Sequence, residues 1–132
     1  MKDIWIIDDD EEMARAVGLM LKLLDCNATA FLNARLAVQT LLTGKKPELM
    51  IVDINMPEIS RLDLIEFLRR RPEWKDMPII MLSSEAADTI IEKAMTAGAD
   101  GYVTKPVTLE ELEKAMATAF YKHLNLRVED GK

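Results

Sequence analysis

Three short apolar runs and a fourth short segment divide the chain, and each ends on polar chemistry. Ile4-Trp5-Ile6-Ile7 runs directly into Asp8-Asp9-Asp10, and Leu49-Met50-Ile51-Val52 runs into Asp53. Pro78-Ile79-Ile80-Met81-Leu82 ends on Ser83-Ser84, and Gly101-Tyr102-Val103-Thr104 ends on Lys105-Pro106. Longer stretches of helical period separate these runs. Short β-rich segments alternating with helices predict repeated βα units and a parallel sheet.

Five such units can be placed. The first strand, β1, covers 4–7, and α1 covers 11–25, with Met13, Val17, Met20, Leu21 and Leu24 on one stripe. Glu11 and Glu12 lie in its first turn, where the helix dipole favours negative charge. The second strand, β2, is the faintest signal, at 27–31. Asn33 caps α2, which turns Ala37, Val38, Leu41 and Leu42 inward and stops at Gly44 as a left-handed C-terminal residue. The third strand, β3, covers 49–52; Asn55-Met56-Pro57 leaves it as a loop. Ser60 and Asp63 form a capping box for α3, which runs through Arg71 before Pro72 limits it. Then come β4 at 78–82, α4 at 86–97 with Ile90, Ile91, Ala94 and Met95 apolar and Gly98 closing it, and β5 at 101–104. The capping box Thr108/Glu111 opens α5, whose inner stripe is Leu109, Leu112, Met116 and Ala119. Periodicity fades from Asn125 onward. This predicts one domain over 1–124 and a C-terminal tail or start of a linker over 125–132.

In a parallel α/β sheet, residues just past the carboxyl ends of neighbouring strands converge on one crevice. Asp8, Asp9, Asp10 and Asp53 all stand at such positions. Acids gathered there repel one another, and each loses hydration, unless a divalent cation or a lysine joins them. Lys105 and the Ser83 hydroxyl arrive at the same edge. Mg²⁺ suits a few carboxylates plus waters and a phosphoryl oxygen better than a closed protein cage. Phosphoryl transfer in turn needs little beyond an in-line nucleophile and positive charge around the equatorial oxygens. Taken singly, each residue has a plainer reading. The acidic run is also a solvated helix start, Ser83 a strand-end hydroxyl bonded to backbone, and Tyr102 a half-buried strand aromatic.

Bulk composition narrows the partners. The 132 residues are 49% hydrophobic and 30% charged, as expected of one globular domain. A formal charge of -6 disfavours direct contact with a nucleic-acid backbone or an anionic membrane. The single cysteine, Cys26, excludes an internal disulfide and reads as a small half-buried residue without a redox role. No apolar run approaches the roughly 20 residues needed to span a bilayer, and no stretch has the form of a signal peptide, so a cytoplasmic location is expected. The nine methionines fall on stripes and strands as core filler. His123 stands alone near the end of α5 and reads as a surface residue; Arg69-Arg70-Arg71 read as cations answering a helix C-terminus.

Four pieces in order, Ile6-Ile7-Asp8-Asp9-Asp10, Met50-Ile51-Val52-Asp53-Ile54-Asn55-Met56-Pro57, Met81-Leu82-Ser83-Ser84 and Ala97-Gly98-Ala99-Asp100-Gly101-Tyr102-Val103-Thr104-Lys105-Pro106, resemble the receiver domain of two-component response regulators, of the chemotaxis-regulator type. The likeness covers nearly the whole chain. It implies a flavodoxin-like (βα)5 doubly wound parallel sheet of order 2-1-3-4-5, with the switch point between β1 and β3. It implies that Asp53 accepts a phosphoryl group from a histidine kinase or histidine phosphotransfer protein. It implies Mg²⁺, with Mn²⁺ as a substitute, held directly by Asp9 and Asp53, through water by Asp8 and by the backbone carbonyl of Asn55. Lys105, expected before a cis proline, and Ser83 would hold the phosphoryl oxygens. Ser83 and Tyr102 would then switch the α4-β5-α5 face toward a downstream protein or output domain, with a phosphorylation-dependent homodimer as a further expectation. Asn55 and Glu85 occupy the positions that tune dephosphorylation, and this pair resembles members with a short-lived acyl phosphate.

The chain departs from the family in the loop after Met56-Pro57, where Glu58-Ile59-Ser60-Arg61 replaces the usual glycine-containing stretch, and at Ser84, where a small apolar residue is usual. Other function classes remain to be weighed. A non-phosphorylated pseudo-receiver would use the fold only for docking. An aspartate-nucleophile phosphatase would carry its nucleophile after the first strand, in an Asp-x-Asp pattern. A flavin or nucleotide carrier would need a glycine-rich loop after β1, which is missing. The expectation is a signalling phospho-acceptor and not a turnover enzyme.

Overall fold

A computed structural model describes residues 2–53, 61–84 and 88–130, the side chains of 61–63, 88–90 and 125–130 excepted. In chain order the elements are β1 (Lys2–Ile7), α1 (Glu11–Leu23), β2 (Cys26–Phe31), α2 (Ala34–Leu42), β3 (Leu49–Asp53), α3 (Arg61–Arg70), β4 (Ile79–Ser83), α4 (Asp88–Ala97), β5 (Gly101–Thr104) and α5 (Leu109–Asp130). The five strands form one parallel sheet of order β2-β1-β3-β4-β5. This is the flavodoxin-like arrangement expected from the sequence.

The sheet is covered on both faces because its central strands supply apolar side chains to both. Along β1, Trp5 and Ile7 join Met50, Val52, Ile79 and Met81 under α2, α3 and α4. The intervening Ile4 and Ile6 join Leu49, Ile51, Ile80 and Leu82 under α1 and α5. All residues of β3 and β4 are buried, which is why these strands read as continuous apolar runs without alternation. The edge strand β2 is exposed from Asn27 to Ala30, and its sequence signal is correspondingly faint.

Helix ends follow local chemistry. The Asp10 carboxylate accepts from the Glu12 and Met13 amides and so caps α1. Asn33 caps α2 through the Leu36 amide, and Thr108 caps α5 through that of Glu111. Gly44 and Gly98 take positive φ just past α2 and α4. The first helix stops earlier than its periodicity suggests, since Asp25 already sits in the left-handed region at φ 59°.

Several sequence expectations need correction. Leu42, Met95 and Leu109 point outward, at 61%, 41% and 39% exposure, because the helix stripes that touch the sheet are narrower than the apolar positions available. The backbone of α5 stays helical to Asp130, through most of the stretch expected as a tail. His123 is buried, and hydrogen-bonds to Asp100 from the neighbouring sheet edge. Arg69 is likewise turned inward rather than facing solvent at the helix end. The Ser60 cap, the Glu58–Ser60 stretch, Asn55 and Glu85 lie outside the described residues.

Candidate functional site

Parallel register delivers the site. Ile7 lies beside Val52, Asp53 beside Leu82, and Ser83 beside Thr104, so the residues that follow β1 and β5 meet the ends of β3 and β4 at one sheet edge. The Asp8 amide donates to the Phe31 carbonyl and extends the β1/β2 ladder by one residue. The Lys105 amide donates to the Ser83 carbonyl and does the same for β4/β5. Both side chains are thereby aimed at Asp53. The Lys105-Pro106 peptide is cis.

Asp8, Asp9 and Asp53 each present an oxygen, all within 4.8 Å of one another. Asp8 and Asp53 are buried, at 0% and 3% exposure, whereas Asp9 is open to solvent. Lys105 Nζ stands 3.3 Å from Asp53 Oδ1 in a largely shielded ion pair. Asp8 Oδ1 accepts from the Asp10 amide at 2.9 Å, but its Oδ2 is buried without a hydrogen-bond partner among the described residues. Burial pushes the Asp8 carboxyl up from 3.8 to about 6. The Asp10 amide opposes this, the adjoining Asp53 adds to it, and Lys105 offsets part of it.

An orphaned, buried carboxylate oxygen beside two further carboxylates is what a hard cation would answer. Asp8, Asp9 and Asp53 offer all-oxygen donors with Asp9 open to solvent, a fit to Mg²⁺, which keeps several of its waters. The Asp10 carboxylate is not part of this group; among the described residues it accepts from the first turn of α1. Ser83 is buried at the end of β4, on the same edge, and Ser84 is exposed. Tyr102 is 44% exposed on β5, in register with Met81 of β4.

Sequence reasoning overlooked one buried polar group outside this site: Asp100, 6% exposed, with Arg69 and His123 against it. Its only signal was an acid just before a short strand start, a place where burial demands counter-charge.

Comparison with known proteins bears on the whole chain. The model of the response regulator receiver domain matches residues 4–117. Chemotaxis protein CheY-3 of Vibrio cholerae serotype O1 is 32% identical over 117 residues, spanning 89% of this chain and 90% of that protein. Protein RcaC of Microchaete diplosiphon is 31% identical over 109 residues, which are 83% of this chain but only 17% of RcaC. The solved structure of chemotaxis response regulator CheY4 of Vibrio cholerae superposes with a TM-score of 0.82 at 23% identity, covering 90% of this chain and 98% of that one. Strand order, the acidic edge and these matches agree: the chain belongs to the response regulator receiver domain family, of the CheY type, in two-component signalling.

Proposed function

We propose that Asp53 is the phospho-acceptor of this receiver, taking a phosphoryl group from a histidine kinase or histidine phosphotransfer protein. The supporting observation is the ion pair of Lys105 Nζ with Asp53 Oδ1 at 3.3 Å, set against the Asp8 and Asp9 carboxylates. A carboxylate is a weak nucleophile, and this geometry helps by placing it at a strand end, with a cation on one side and acids suited to a metal on the other. An Asp53 oxygen forms the new O–P bond while the P–N bond to the donor imidazole breaks, and the leaving imidazole takes its proton from solvent.

Lys105 and the Ser83 hydroxyl hold the phosphoryl oxygens as charge moves onto them. Asp8 and Asp9, with Asp53 and the Asn55 carbonyl, are the residues that would hold Mg²⁺. Bound there, such an ion would supply positive charge that offsets these acids and the incoming phosphoryl group. Asn55 and Glu85 set the lifetime of the acyl phosphate. The hydrogen bond from Ser83 draws on the end of β4, and Tyr102 turns from its exposed position toward the interior. The α4-β5-α5 face is thereby remodelled for a downstream protein, an output domain or a second copy. A bias of a few kcal/mol between two states suffices. The chain is thus a signalling acceptor and not a turnover enzyme, acting away from nucleic acid and membrane.

Incubation with a small acyl phosphate, followed by intact-protein mass measurement, tests the reading. One phosphoryl group should be gained with Mg²⁺, and none without it or in Asp53→Asn. No gain by folded wild type, from a donor that labels another receiver, would overturn it and favour a docking-only pseudo-receiver.

A further inference from the structure

Asp100 sits at the opposite end of the sheet from Asp53, where β5 begins, and ties four elements together. Its Oδ2 accepts from Arg69 Nη2 of α3 at 2.9 Å, from the Ile79 amide of β4 at 2.8 Å and from His123 Nε2 of α5 at 2.8 Å. Lys122 Nζ of α5 lies 3.2 Å from its Oδ1. Arg69 carries the tie onward: Nε donates to the Gly98 carbonyl, just past α4, at 3.0 Å, and Nη1 donates to the Met77 carbonyl at 2.7 Å.

Gly98 is required at this junction on two counts. Its φ is +119°, and a Cβ there would stand 2.8 Å from Arg69 Cγ. The carboxylate, guanidinium and imidazole are all largely or fully buried, so the cluster is shielded from the screening that weakens surface ion pairs. Planar guanidinium donors spread over several carbonyls fix direction as well as distance.

We propose that the Arg69/Asp100/His123 cluster is a fixed pivot. It holds the C-terminal end of α4 and residues 119–124 of α5 to α3 and β4, and so confines the phosphorylation-linked movement of α4 to the end nearest Asp53. The pivot rests on the phospho-acceptor reading only for what drives the movement; the anchoring is a property of the resting protein. A helix pinned at one end converts a small pull at the β4 end into a tilt, and the tilt is what a partner on the α4-β5-α5 face would detect. Removing one leg should release one element and leave the other in place.

Hydrogen exchange by peptide, on the full chain, reads this directly. The variants are Arg69→Met, which removes the α3 to α4 leg, and His123→Leu, which removes the buried α5 leg, leaving the half-exposed Lys122 contact, and also removes Nδ1, which is buried without a partner among the described residues. In the resting protein Arg69→Met should raise exchange at 94–100 by about tenfold or more, and His123→Leu should do so at 119–124 but not at 94–100. The conservative His123→Gln, which keeps a donor, should restore most of the α5 protection. A uniform rise across the chain in both variants would overturn the pivot, as would no change in either.

Adding the acyl phosphate and Mg²⁺, with the mass of each sample recorded, separates the two proposals. In phosphorylated wild type, exchange should change in the first half of α4 and stay fixed at 94–100, and in Arg69→Met the change should spread to 94–100. Equal change at both ends of α4 in phosphorylated wild type would overturn the pivot and leave the acceptor reading intact. Absence of any mass gain would overturn the acceptor reading, and the resting comparison would still decide the anchoring.

Discussion

Asp8→Asn should stabilise the metal-free protein, although it removes a proposed metal-holding residue. Asp8 is fully buried, and its charged form is opposed first by burial and then by the neighbouring Asp53. The distance from 3.8 to about 6 amounts to on the order of 3 kcal/mol against the charged carboxyl at pH well above 6. Asparagine has nearly the same shape, keeps an oxygen for the Asp10 amide, and carries no charge.

The variant should therefore gain about 1–3 kcal/mol at pH 8 in chelator, or about 3–10 °C in Tm for a domain of this size. The sign with pH follows from the raised carboxyl. Folded wild type takes up a proton before the unfolded chain does. Its penalty is therefore full above pH 6 and fades as pH falls from about 6 toward 3.8, and the gap between the proteins closes over that window. Metal acts the other way. A hundredfold excess over Kd adds about 2.7 kcal/mol to whichever protein binds, and wild type should gain more than the variant.

Urea unfolding followed by the fluorescence of the buried Trp5 and Trp74 measures all three arms. A variant no more stable than wild type in chelator at pH 8, or a gap that widens on acidification, would refute the claim that Asp8 is held charged at a cost.

Three further outcomes are expected. Asp10→Ala removes the α1 cap, should cost about 1 kcal/mol in denaturant unfolding, and should leave phosphoryl uptake unchanged, because the Asp10 side chain bonds to the helix start and its amide, which holds Asp8, is kept. Lys105→Ala should leave Mg²⁺ affinity intact or tighter by titration, since the cation beside Asp53 is gone, while phosphoryl uptake no longer shifts a probe at Tyr102. Asp100→Asn should lose about 3 kcal/mol at neutral pH by leaving Arg69 without its counter-charge. Burial works against the Asp100 charge, but hydrogen bonds from His123 and the Ile79 amide and the nearby cations win, holding its carboxyl below the usual range. That stabilisation is present above the unfolded value and is lost as pH falls through the lower folded one, so urea unfolding should show wild type and variant converging in acid.

How far the sequence could be read depends on which partner sets each residue's role. Asp8, Asp53, Ser83 and Lys105 could be placed together because parallel strands put their carboxyl ends side by side, and each residue follows or ends an apolar run. The strands β3 and β4 were legible because both faces are buried, and β2 was faint because its edge is not. Leu42, Met95 and Leu109 show the limit of periodicity: it marks where a helix can bury apolar groups, and the sheet then covers only part of that stripe. His123 and Arg69 were misplaced for a different reason. Their burial is set by Asp100, 23 and 31 residues away, and a lone histidine or an arginine at a helix end carries no local sign of such a partner. Asp10 looked equivalent to Asp8 and Asp9 until the cap claimed it.

The most direct measurement is to trap the acyl phosphate and find where it sits. Wild type is phosphorylated with a small acyl phosphate in Mg²⁺, reduced with borohydride so that the phosphorylated aspartate becomes homoserine, and sequenced by peptide mass spectrometry. Homoserine at position 53 alone is the predicted result. Homoserine at position 8, 9 or 10 would place the nucleophile after β1 and favour the phosphatase-like chemistry. Phosphoryl uptake with no homoserine at any aspartate would contradict an acyl phosphate altogether.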